Sequence, residues 1–128
     1  IAAFDIAADG SLENRRSWVE FGPEPTEREI EPLVGQVVIA PDGCGLDAEG
    51  ALWVADATGG RAIRVLPDGT IDREVSPGSG VFACMLGGDG GRTLFLCSAP
   101  DFAEEARKNA REGSLLAVEV DVPRAGLP

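Results

Sequence analysis

The sequence predicts an all-β protein, a partial β-propeller, and three observations carry that prediction. Runs of four to six residues rich in β-forming side chains are bounded by Gly, Pro or Asp. Gly (17) and Pro (9) are numerous for 128 residues, which favours short elements joined by turns. The pattern also recurs. ALWVAD at 51–56 returns as TLFLCS at 93–98, an offset of 42, each after a Gly-rich turn. AFDIAADGSLENR at 3–15 resembles AIRVLPDGTIDRE at 62–74, and the two fall on the same period once residues 23–40 count as an insertion. A unit of about 40 residues with four short strands is the signature of a propeller blade.

In chain order, residues 1–22 supply the outer half of a blade. Its strands are Ala2–Ile6 and Ser17–Phe21, on either side of the turn Ala8-Asp9-Gly10. In the insertion 23–40, Thr26 stands three residues before Glu29, a capping-box spacing for a short helix that Pro32 confines to its start. Residues 41–77 form a full blade, with strands at Leu52–Ala55, Ala62–Leu66 and Ile71–Val75. This blade contains Pro-Asp-Gly twice, at 41–43 and 67–69, and both tripeptides read as tight turns. Residues 81–122 form the last blade, with Val81–Leu86 and Leu94–Cys97 flanking GGDGGR, and Leu115–Val120 closing the set. Its helical insertion, 101–111, has Asp101 as N-cap, carboxylates early, bases late and Gly113 as a stop. Phe102, Ala103, Ala106 and Ala110 give that helix only a thin apolar stripe, so it reads as a surface excursion.

The sum is about two and a half blades, whereas a closed ring has roughly four to eight. Uncovered sheet faces are therefore expected. They would be closed by further sectors of the same protein, or by copies that complete one another. Trp53 and Phe95 hold equivalent strand positions and are expected in the core, with Trp18 partly exposed. Asp47, Glu49 and Asp56 read as turn and strand-end residues, and Arg15, Arg16 and Arg61 as solvated.

Composition narrows the chemistry. The net charge of −11 leaves no basic stretch to track a phosphate backbone, so nucleic acid is not an expected partner. No apolar run approaches the roughly 20 residues of a membrane-spanning helix, so no membrane partner is expected either. There is no histidine, which removes the commonest general base and transition-metal ligand. Any metal would be held by oxygens, which suit calcium, magnesium or manganese. Cys44, Cys84 and Cys97 are odd in number and lack CxxC spacing. They read as reduced core cysteines of a cytoplasmic protein. The chain opens on Ile1 with no signal-like stretch, and more protein is expected upstream. Paired carboxylates for glycoside cleavage fit poorly, since nothing fixes their separation.

The run PDGCGLDAEGALWVADATGGRAIRV at 41–65 resembles the SMP-30/gluconolactonase/LRE-like (regucalcin-like) family. IAAFDI…GSLENRR at the start and GVFACMLGGDGGRTLFLCSAP at 80–100 are similar to the stretches on either side of it in that family. The resemblance implies a six-bladed propeller of which this chain is the C-terminal half. It implies one divalent metal in the central channel, Ca2+ first, with Zn2+, Mg2+ or Mn2+ as alternatives, and hydrolysis of lactones. It makes Asp42 both the metal ligand and the catalytic proton acceptor, because the family's Pro-Asp-Gly opens the innermost strand at the channel mouth. Asp68, between the third and fourth strands, is then a hairpin residue that caps its own turn. The family's other ligands, a glutamate and one or two asparagines, belong to the half not covered. Asn14 and Asn109 do not stand in those contexts. Cys44 stands where relatives carry a hydrophobic residue, either lining the channel or packed in the core. The resulting expectation is a metal-dependent hydrolase resembling gluconolactonase, acting on a small-molecule lactone and completed by a missing N-terminal half. The alternative is a non-catalytic truncated propeller that self-assembles or binds a partner. A third keeps the fold and changes the reaction, as in phosphotriesterase or strictosidine-synthase-like relatives.

Overall fold

The computed structural model describes residues 1–126, whose strands form three antiparallel sheets. The first sheet is a hairpin, β1 (Ala2–Ile6) with β2 (Leu12–Ser17). A short helix, α1 (Ile30–Val34), follows. The second sheet has the order β3 (Pro41–Leu46), β4 (Leu52–Asp56), β5 (Arg61–Val65), β6 (Ile71–Val75). The third is β7 (Gly80–Gly87), β8 (Thr93–Ala99) and β9 (Ser114–Glu119), with helix α2 (Glu104–Lys108) between the last two. The chain is a partial propeller, its described residues all-β apart from two five-residue helices.

The middle sheet carries the core because both its faces are covered. Trp53, Ala55 and Ala62 on one face pack against Val81, Cys84, Leu86, Leu94 and Leu96 of the third sheet. Leu52, Val54, Ile63 and Val65 on the other face meet Val19 and Ile39, with Ile1, Trp18 and Phe21 around them. Every residue of β4 is buried, as a strand between two packed faces requires. Truncating Trp53, which is 1% exposed, to Ala would cost about 3–5 kcal/mol on the usual scale for a buried aromatic.

The internal repeat is also a repeat of hydrogen bonds. In the first hairpin, Gly10 N donates to Ala7 O and Ala7 N to Ser11 O; in the β5–β6 hairpin, Gly69 N donates to Leu66 O and Leu66 N to Thr70 O. Gly10 and Gly69 share φ +86°. Asp9 Oδ1 accepts from Ser11 N as Asp68 Oδ1 accepts from Thr70 N, both at 2.9 Å. Sheet one is therefore an outer hairpin of the same kind as β5–β6.

Several expectations are corrected. The second strand is Leu12–Ser17, not Ser17–Phe21. All six of its residues are exposed, as befits an outermost strand, so it carries no apolar alternation to find. Trp18, Val19 and Phe21 instead pack into or against the core from irregular chain, with Glu20 exposed between them. Thr26 caps nothing; Gln36 Oε1 accepts from its N–H at 2.8 Å, while Glu29 stands at the N-cap of α1. Pro32 is the third residue of α1, within the first turn, where a missing N–H is harmless. Helix α2 is shorter than 101–111. Asp101 Oδ1 accepts from Ala103 N ahead of it, and Ala103 is the N-cap. Phe95 is half-buried rather than core, because it lies on the outward face of the third sheet with Met85 and Leu115, which are 53% and 69% exposed.

Asp47, Asp56 and Arg61 are more than strand-end or solvated groups. Asp47, 1% exposed, accepts from Glu49 N and Ala51 N and from Arg64 Nε at 2.7 Å. Arg64, 4% exposed, also pairs with Glu49 and Asp72. Burial works against the Arg64 charge, but its three carboxylates outweigh that and raise its pKa. Arg61 bonds Asp56 and Glu74.

Candidate active site at the inner strand

β3 is the first strand of its sheet and β7 the first of the next, and the two run side by side. At Gly43 they pass too closely for a side chain. A Cβ built there would stand 2.9 Å from both Cα and Cβ of Ala83, so only glycine fits. Cys84 Sγ donates to Gly43 O at 3.4 Å across the same contact. Pro41-Asp42-Gly43 is therefore strand backbone and not a reversal. The pairing shifts between Pro41, opposite Asp56, and Cys44, opposite Val54, which puts Asp42 on a bulge. Bulges re-aim side chains and are frequent beside active sites.

Asp42 is exposed, and no partner among the described residues engages its carboxylate. Asp68 stands in the opposite situation. It sits in the β5–β6 turn, and Thr70 N–H donates to its Oδ1 and holds its carboxyl below the usual carboxylate range.

The backbone ahead of Asp42 is fixed by Asp56, whose carboxylate is completely buried. Its Oδ1 accepts from Ala40 N, Thr58 Oγ1 and Gly59 N, and its Oδ2 from Arg61 Nε at 3.0 Å. This positioning role was not read from the sequence. The signal available was an aspartate closing an apolar strand just before Thr-Gly-Gly-Arg, a buried acid with donors at hand.

The three cysteines, scattered in sequence, gather around one cavity of about 580 Å3, with Met85, Phe95 and Leu115 in its wall. Only Cys84 is a core cysteine; Cys44 and Cys97 are exposed, correcting the expectation for both. Burial pushes the Cys84 thiol up to about 12, with Cys44 and Cys97 adding to the rise. Asn14 and Asn109 are remote from this region in their roles. Asn14 donates to Asp5 on the first hairpin, and Asn109 is the C-cap of α2.

A divalent cation of the kind the resemblance implies takes roughly six to eight oxygens if it is calcium. Among the described residues no cluster of three or more His, Cys, Asp or Glu could hold a metal ion. Asp42 is a hard oxygen donor of the right type, but one carboxylate is not a site, so these residues alone do not fit the ion. No helix among the described residues is long and apolar enough to cross a membrane.

Residues 1–100 match the family model described as SMP-30/Gluconolactonase/LRE-like region. The 6-deoxy-6-sulfogluconolactonase of Pseudomonas putida is 34% identical over 91 residues, covering 69% of this chain and 31% of that protein. Regucalcin of Xenopus laevis is 37% identical over 76 residues, covering 58% and 25%, and regucalcin of Gallus gallus 32% over 104, covering 79% and 30%. The chain thus spans a third or less of the length of these relatives. The solved structure of a luciferin-regenerating enzyme superposes with a TM-score of 0.65 at 22% identity, over 96% of this chain and 38% of that one, and so shares its fold. With the family model spanning most of its residues and the repeat visible in its hydrogen bonds, this chain belongs to the SMP-30/gluconolactonase/LRE-like family.

Proposed function

We propose that this chain forms the C-terminal sectors of a six-bladed lactonase ring, and that Asp42 is its catalytic carboxylate. The observation that carries the reading is the exposed, unpartnered state of Asp42 at the start of an inner strand, set against the engaged state of Asp68. The name of one relative, a sulfogluconolactonase, and the family description support a lactone as the substrate class.

In this reading Asp42 accepts a proton from a water molecule as the water oxygen bonds to the lactone carbonyl carbon. The ring C–O bond then breaks and the departing alkoxide takes up a proton, giving a hydroxy acid. A divalent cation, Ca2+ by the hardness of the donor, with Zn2+, Mg2+ or Mn2+ as alternatives, would polarise the carbonyl when bound. Asp42 is the one ligand this chain contributes to it, and the other donors come from sectors outside it. Asp56 holds Ala40 and so fixes the strand from which Asp42 projects.

The test is Asp42→Asn in the complete ring, read by pH-stat hydrolysis of D-glucono-1,5-lactone and by calorimetric titration with Ca2+. Loss of both is expected. Hydrolysis that survives the substitution overturns the assignment.

The open outer face of the third sheet favours one other reading, an assembly module. Concentration-dependent sedimentation of residues 1–128, with no hydrolysis from the complete ring, would decide for it.

A further inference from the structure

Two segments interrupt the blade period, the α1 insertion and the excursion after β8, and both bring an apolar side chain to one cavity. The cavity measures about 520 Å3. Val34 reaches it from α1, Phe102 from the loop ahead of α2, and Phe82 from β7. Its remaining wall includes the Ala57–Gly60 turn that follows Asp56. That turn is tied to the backbone before Asp42 by Ala57 N donating to Ala40 O at 3.0 Å. The cavity therefore lies at the same end of the sheets as Asp42, which stands outside its lining.

Phe82 occupies the repeat position of Asp42. Leu46 faces Leu52 as Leu86 faces Leu94, and counting back four residues from each inner-strand leucine reaches Asp42 and Phe82. Both lie where the pairing shifts, Asp42 between Pro41 and Cys44 and Phe82 between Val81 and Ala83. Their next residues, Gly43 and Ala83, stand against each other across the two strands. A carboxylate and a phenyl ring thus start from neighbouring points on adjacent inner strands. The ring has a made seat. A Cβ on Gly80 would fall 2.7 Å from its Cζ, and Phe102 meets it edge-on with centroids 6.4 Å apart at 79°. Among the described residues no Lys or Arg lines the cavity, whereas Asp101 does. In a chain of net charge −11, this disfavours an anionic ligand.

We infer that Phe82 and Phe102 select a neutral lactone bearing an alkyl or aryl substituent, which lies in this cavity while its carbonyl faces Asp42. The inference rests on the lactonase reading above and names the substrate class of that same site. Segments that break a repeat commonly gather on one binding face; these two bring Val34, Pro100 and Phe102 as apolar wall beside Asp101, while Thr58, Ser76 and Ser79 are the hydroxyls of the rest of the lining.

The experiment compares kcat/KM for δ-decanolactone and for D-glucono-1,5-lactone in the complete ring, for the parent and for Phe82→Ala, Phe82→Leu and Phe102→Ala. The parent is expected to prefer the alkyl lactone at least about tenfold, and each alanine to lower that preference about tenfold, with Phe82→Leu keeping most of it. Phe102 is 55% exposed, so its truncation leaves the fold intact even if Phe82→Ala does not. Preference for the sugar lactone, or a preference unmoved by Phe102→Ala and Phe82→Leu alike, overturns the inference while Asp42-dependent hydrolysis leaves the lactonase reading standing. Failure to hydrolyse either lactone overturns both.

Discussion

The chain spells Pro-Asp-Gly twice within one sheet, and the two copies have different backbones, neighbours and consequences. At 67–69 the tripeptide reverses the chain between β5 and β6; Gly69 takes φ +86° and Asp68 accepts from Thr70 N. At 41–43 it opens the inner strand. Gly43 is there because β7 passes too close for a side chain, and Asp42 sits on a bulge with its carboxylate unengaged. The glycine serves left-handed backbone in one copy and close approach in the other. The aspartate is engaged by its own turn in one and left available for chemistry in the other. Position in the sheet, not the tripeptide, sets the role.

The comparison breaks most sharply at the aspartates. Asp42→Asn should lower lactone hydrolysis by about 10²–10⁴-fold, the usual contribution of a positioned acid or base. Asp68→Asn should leave it within about twofold, since Asp68 lies in a turn on the outer strands. A pH-stat assay of both variants reads the difference, and equal losses would mean that neither aspartate is the base.

The glycines give the next effects, by two different mechanisms. Gly43→Ala forces a methyl against Ala83 and should cost about 1–3 kcal/mol, the usual range for overpacking. Adding Ala83→Gly should return part of that loss, because the clash is with the Ala83 Cβ as well as its Cα. Gly69→Ala meets only Val19 Cγ2 at an ordinary 3.4 Å, so its cost is backbone strain alone, about 1–2 kcal/mol. No cross-strand partner should rescue it. Gly10→Ala, with the same φ and nothing within 4 Å, should match it. Urea denaturation of the four variants separates steric from conformational cost.

What was legible in the sequence follows the same division. The repeat was legible because blade-to-blade packing demands apolar residues at fixed spacing on β4 and β8, and the hairpin turns because their glycines need positive φ. β2 was not, since an outermost strand exposed along its whole length has no apolar pattern to select it. Phe95 looked like a second Trp53, but burial depends on the next sheet, and the face it occupies is open among the described residues. Cys44 and Cys97 read as core for the same reason. For the site, the likeness to the family pointed to Asp42, while its bulge and free carboxylate needed coordinates. Phe82 went unnoticed because an aromatic in a β run reads as core, and only register shows that it holds the position of Asp42.

The smallest effect concerns the charge on Asp68. Its carboxyl is held below the ordinary value of 3.8 by the backbone and side chain of Thr70, so the folded state favours the ionised form. A depressed folded pKa contributes stability that is present in full above the unfolded value and fades as pH falls through the folded one. Asp68→Ala should therefore lower Tm slightly at pH 7, by less than Gly69→Ala does, and the gap from the parent should narrow as pH drops below 3.8. Asp9→Ala should follow the same course, since Ser11 holds the Asp9 carboxyl low in the twin hairpin. Thermal melts at pH 7 and pH 2.5 test this. A gap of the same size at both values would mean that these turns owe their stability to glycine conformation, with the carboxylate contributing none through its charge.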